Sequence, residues 1–133
     1  MFSKPVHKNQ NRIDSLIGAG SKLEGDISFS GGLRVDGEVR GNVTAVGDES
    51  STLVISEQAR IEGEITVSHL VVNGTVIGPL HSGGFLELQP KARVTGDVEY
   101  NTIEMHLGAV VQGRLIHQGL AAKPVELKLA TTS

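Results

Sequence analysis

Five histidines, His7, His69, His81, His106 and His117, are the side chains best suited to chemistry in this sequence. A neutral imidazole can hold zinc or act as a general base, and either role needs a second group close by. No two of the five have the close spacing of a zinc motif. His106 and His117 are candidates to share a face with His81, but outward-facing surface histidines are the simpler expectation. Acid pairs at Asp36/Glu38, Glu62/Glu64 and Asp97/Glu99 could meet calcium, yet no loop supplies a full set of oxygen ligands. "GAGSK" at 18–22 lacks the spacing of a phosphate loop, and "GDESST" at 47–52 lacks its lysine. No serine has an identifiable histidine and acid partner. There is no cysteine, hence no disulfide and no thiolate site. The expectation is a non-enzyme with no catalytic residue, no metal, no cofactor and no nucleotide.

The elements that would position any such group follow an internal repeat. The unit aliphatic-x-Gly-x-aliphatic recurs with its glycine at Gly25, Gly41, Gly63, Gly78, Gly96 and Gly113. Further copies centre on Gly37 and Gly74. A second marker, an aliphatic pair two residues apart, falls at Leu33/Val35, Leu53/Ile55, Leu70/Val72, Leu86/Leu88 and Ile103/Met105. Both markers share a period of about 17 residues, apart from one long step that takes in "AVGDESST", read as an inserted loop. Such a period is too short for two-helix repeats or propeller blades. Within each copy apolar residues alternate with period two, as in strands.

Three short strands and three tight corners use about 18 residues, one coil of a parallel β-solenoid. At about 4.8 Å per coil, six coils make a rod about 29 Å long. The fold class is therefore all-β: a single-domain parallel β-helix of about six coils, 17–18 residues each. The repeated glycines, Gly25, Gly37, Gly41, Gly63, Gly74, Gly78, Gly96 and Gly113, are its structural turn positions, since glycine permits positive φ and close backbone approach. Aliphatics beside them, such as Ile61, Ile65, Val94 and Val98, should point inward. A left-handed hexapeptide helix would need an aliphatic at every sixth position. Ile55, Ile61 and Val67 comply but Asn73 does not, so the right-handed form is favoured.

Net charge is −3 and unevenly spread. Residues 1–12 hold Lys4, Lys8 and Arg12 without an acid, whereas residues 13–118 hold 14 acids against seven lysines and arginines. An acidic body makes nucleic acid an unlikely partner. No run of apolar residues is long enough for a membrane-spanning helix, and no secretory leader is evident, so a cytoplasmic protein is expected. Residues 1–14 and 119–133 read as disordered tails around a domain at 15–118. Neither tail reads as a cap. Uncapped solenoid ends expose bare aliphatics and unpaired backbone groups, which template pairing with another chain. The end coils carry the expected polymer interface: Leu23 and Ile27 at one end, Leu107, Val110, Val111 and Ile116 at the other. The first partner expected is thus a further copy of this chain. A hexapeptide-type enzyme (acyltransferase or zinc hydrolyase) and a non-polymerising adaptor are the alternatives.

With "GSKLEGDISFSGGLRVDGEVRGNV", "HLVVNGTVIGPL" and the "ARVTGDV" copy, the chain resembles the bactofilins, a family of bacterial cytoskeletal proteins, over about residues 16–118. The resemblance implies a right-handed triangular β-helix. It also implies nucleotide-independent filaments that join like ends and scaffold cell-shape or cell-wall enzymes. It further implies attachment to the inner face of the cell membrane through Met1, Phe2, Lys4 and Lys8, with Pro5 standing where a second basic residue would be usual. Membrane or cell-wall proteins are the implied further partners. Members often carry an aromatic in the segment that reads "GAVVQG" here, and that position is Val111.

Overall fold

A computed structural model describes residues 13–47 and 50–118, and every regular element in them is a strand. Coil 1 comprises β1 (Ser15–Ile17), β2 (Lys22–Glu24) and β3 (Ile27–Phe29). Coil 2 comprises β4 (Gly32–Val35), β5 (Glu38–Arg40) and β6 (Val43–Ala45), and coil 3 comprises β7 (Thr52–Ile55), β8 (Arg60–Glu62) and β9 (Ile65–Val67). Coil 4 starts with β10 (His69–Val72) and β11 (Thr75–Ile77). Its third strand runs without a break into coil 5 as β12 (Leu80–Leu88). Coil 5 continues through β13 (Arg93–Thr95) into β14 (Val98–Met105), which again crosses into coil 6, completed by β15 (Val110–Gln112) and β16 (Leu115–His117).

Every pairing is parallel and joins a strand to its copy one coil away. The result is a three-faced solenoid. The face built on β2, β5, β8, β11, β13 and β15 is a separate sheet, while the other two are joined by β12 and β14 into one. Both sequence markers match the pairing register: Leu33 lies against Leu53, Leu53 against Leu70, and Val76 against Val94.

Inward side chains stack in columns down the axis. One column is Val39, Ile61, Val76 and Val94; another is Val43, Ile65, Leu80 and Val98. All eight are buried. Each fully buried aliphatic of this size contributes about 1.5–3 kcal/mol. A column therefore stabilises the rod coil by coil, with no central hub. Outward positions carry charge in alternating order. Lys22, Glu38 and Arg60 form one column, and Glu24, Arg40 and Glu62 its neighbour. Arg60 pairs with Glu62 at 2.8 Å and Arg40 with Glu38 at 3.3 Å.

The three corners differ. At the second, Gly25, Gly41, Gly63, Gly78, Gly96 and Gly113 stack, all with positive φ. A Cβ on Gly63, whose φ is 151°, would strike the Gly41 carbonyl of the coil before, so both conformation and space demand glycine there. The first corner has a wide form, as in Ile55–Ile61, and a narrow form at Gly37 and Gly74. At Gly37 there is no room above the coil before: a Cβ would lie 2.6 Å from the Ser21 carbonyl oxygen. Close approach, rather than positive φ, explains this narrow form. The third corner varies most. The expected insertion falls at this corner between β6 and β7, whereas β12 and β14 pass through it, β12 with a register shift between Ser82 and Phe85. Apart from β12 and β14 the strands have only three or four residues, because the corners take much of each coil.

Candidate functional site: the two ends and the histidine clusters

The first and last coils keep the register of the interior but lack a neighbour on one side among the described residues. At the start, Leu23 is 40 % exposed and Ile27 half-buried, both standing on their buried column partners Val39 and Val43. At the finish, Met105 is 44 % and Leu115 46 % exposed, on Leu88 and Val98, which are fully buried. Val111 stands half-buried on Val94 and faces the open end of its column. Leu107 projects from the first corner and is 95 % exposed. Val110 and Ile116 sit elsewhere: their register partners are Arg93 and Glu99, which places them on the outer faces of the last coil, beside the open core. Met105 and Leu115, which also end inward columns, were not among the residues expected at the ends. Their register would have identified them, because each is the last copy of an inward column. Met1, Phe2, Lys4 and Lys8 lie outside the described residues.

The histidines do not come together. His81 and His117 share a face two coils apart, and His106 sits at a different corner, so the candidate shared face of the three does not form. His69 is half-buried, and its Nδ1 is buried without a hydrogen-bond partner. The His117 ring packs on Tyr100 at 5.4 Å between centroids.

His81 lies between two carboxylates, with Nε2 2.6 Å from Glu64 and Nδ1 2.8 Å from Glu99. Partial burial pulls its pKa down, but the hydrogen bonds with Glu99 and Glu64 outweigh this, and the net shift is upward. This bridge spans coils 3, 4 and 5. Its origin lies at the second corner, where the residue after each glycine caps the next coil. The Asn42 N–H donates to Asp26 at 2.9 Å, the Glu64 N–H to Asn42 at 2.9 Å, and the Arg114 N–H to Asp97 at 3.1 Å. Above Glu64 stands Pro79, which has no N–H to offer. The ladder is interrupted there, and the Glu64 carboxylate pairs with His81 instead. Asp97 also meets the Arg114 guanidinium at 2.8 Å, which lowers the Asp97 pKa and raises that of Arg114. At Asp36, a hydrogen bond from Ser56 outweighs burial and, with Arg34, lowers the pKa.

His106 is arranged differently. Its Nε2 lies 3.0 Å from Glu87 and 3.3 Å from Glu104, so both carboxylates approach one nitrogen.

A three-faced parallel β-helix with an open core at each described end has the form of a structural rod. The comparisons agree. A family profile described as "Bactofilin: Polymer-forming cytoskeletal" matches residues 15–116, and the chain belongs to the bactofilin family. It is similar to two proteins of Myxococcus xanthus (strain DK1622). It is 24 % identical to Bactofilin BacP over 85 % of this chain and 45 % of that protein. It is also 24 % identical to Bactofilin BacO over 77 % of this chain and 78 % of that protein. The chain thus spans less than half the length of BacP. No solved structure matches.

Proposed function

We propose that this protein is a cytoskeletal scaffold rather than an enzyme. It assembles end to end, without nucleotide, into filaments that support cell-shape or cell-wall machinery at the inner face of the cell membrane. The observation that carries this reading is the pair of open ends. Aliphatic columns fully buried through the middle of the rod finish in half-exposed side chains at Leu23, Met105 and Leu115. Covering them with another rod end continues the columns and recovers the burial that the end coils lack. Family membership supports a polymer-forming role. Attachment rests on the composition of residues 1–12, where Phe2 can enter the headgroup boundary while Lys4, Lys8 and Arg12 meet anionic lipid. Each basic residue contributes about 1 kcal/mol. One tail binds weakly, and a filament displaying many binds by avidity.

Negative-stain electron microscopy of the purified chain, without nucleotide and with chelator present, tests the assembly. Long thin filaments or ribbons are expected. Uniform small particles at every concentration would overturn the reading. Co-sedimentation with vesicles containing phosphatidylglycerol tests attachment, and deletion of residues 1–12 should abolish it.

A further inference from the structure

Glu87 and Glu104 occupy directly opposed positions on neighbouring coils, paired in register between β12 and β14. Among the described residues, every other register pair of acidic and basic (Asp, Glu, Lys, Arg) side chains joins opposite signs, and His81 is paired with an acid. Examples are Lys22 with Glu38, Arg40 with Glu62, and His81 with Glu99. Like charges directly opposed destabilise a sheet. Here the two carboxylates are drawn together, and His106 reaches the same point with Nε2. One oxygen from each glutamate and one histidine nitrogen all lie within 4.8 Å of one another.

The contrast with His81 separates two kinds of histidine–carboxylate cluster. At His81 each ring nitrogen faces its own carboxylate, so two protons satisfy two acceptors. At His106 two acceptors share one nitrogen, which carries one proton at most. A divalent ion satisfies that arrangement better. Zinc bound to histidine nitrogen and carboxylate oxygen at about 2.0–2.2 Å places neighbouring donors about 3.3–3.6 Å apart on a tetrahedron. The nitrogen-to-oxygen separations of 3.0 and 3.3 Å are close to that edge. Gln89 donates its Nε2 to Glu87 at 3.3 Å, a contact of the kind that orients a ligating carboxylate.

We propose that Glu87, Glu104 and His106 form a site for a divalent transition-metal ion of the zinc class, with solvent completing the shell. One ligand comes from coil 5 and two from coil 6, so the bound ion fastens the last coil to the rod, beside the open end that carries Met105, Val111 and Leu115. The site does not depend on the filament reading, and its test does not use filaments.

The test is calorimetric titration of zinc chloride into the untagged full chain, stripped of metal and held at neutral pH. Hydrogen exchange of residues 103–117 is measured with and without zinc. One site per chain is expected, with micromolar affinity or tighter and slower exchange in coil 6 on binding. His106→Asn and Glu104→Gln should each weaken binding by about tenfold or more. His81→Asn should leave it unchanged. All three positions are partly exposed on the outer faces, and circular dichroism checks that each variant folds. The absence of a saturable site, or affinity that survives both ligand substitutions, overturns the proposal and leaves His106 as a hydrogen-bond partner of the two acids.

Discussion

Ile61 and Val111 hold the same place in the repeat, three coils apart. Ile61 has Val39 on one side and Val76 on the other and is fully buried. Val111 has Val94 on one side and, among the described residues, nothing on the other. Their chemistry and backbone setting are nearly the same; only the number of neighbouring coils differs. The same kind of residue therefore stabilises the fold in the middle of the rod and is left uncovered at its described end. A substitution should accordingly separate stability from polymer formation by position alone.

The expected effects on stability fall in order along that contrast. Ile61→Ala removes a column member with a coil on each side and should cost about 2–5 kcal/mol, read as a large drop in the denaturant midpoint. A cost as small as that of a surface change would show that the columns are not the core. Gly63→Ala tests the corner ladder. The positive φ alone costs about 1–3 kcal/mol, and the clash with the Gly41 carbonyl adds to it, so the variant should melt well below the parent. An unchanged melting temperature would mean the corner relaxes freely.

His81 comes next. Its pKa in the folded protein lies above the ordinary value of 6.5. The stability it provides is thus complete below the unfolded pKa and is lost as pH rises through the folded one. The group is partly exposed, so the contribution is under about 1 kcal/mol. The difference in stability between parent and His81→Asn should shrink as pH rises from mildly acidic to mildly alkaline; a difference that grows would contradict the Glu64–His81–Glu99 bridge. Val111→Arg should change stability least, by less than about 1 kcal/mol, because its long stem can still lie along the column end while the charge reaches water. It should nevertheless abolish filaments in electron micrographs. Filaments that persist in Val111→Arg and in Leu115→Arg would place the joint elsewhere.

The coil architecture was legible because inward aliphatics and corner glycines recur at one spacing, and that spacing is the register itself. The first copy of the aliphatic pair was harder to see, since Ser15 stands where later coils have leucine. The run of β12 through the third corner left no signal of its own, because "SGGF" also reads as a turn. Of the residues expected at the ends, Leu23, Ile27 and Val111 stand on inward columns, while Val110 and Ile116 stand on outer faces, because apolar content was read without face. Continuing the alternation from Val94 and Val98 would have assigned Val111 and Leu115 to the core end and Val110 and Ile116 to the outside. The histidine clusters were not legible. Glu64 and His81 are 17 residues apart and Glu87 and His106 are 19 apart, and only stacking of whole coils makes them neighbours.

Because each coil touches chiefly the coil above and the coil below, the interfaces of the proposed filament would be mechanically in series. An axial pull loads every one of them equally, and the weakest sets the breaking force. Inside the chain, side-chain links such as Asp26–Asn42 and Asp97–Arg114 reinforce the backbone pairing, and covalent connections follow each coil into the next. A joint between chains has no covalent connection. A stretched filament should therefore snap cleanly between intact subunits and leave fresh ends able to rejoin, an outcome that single-filament force measurements would distinguish from progressive unravelling.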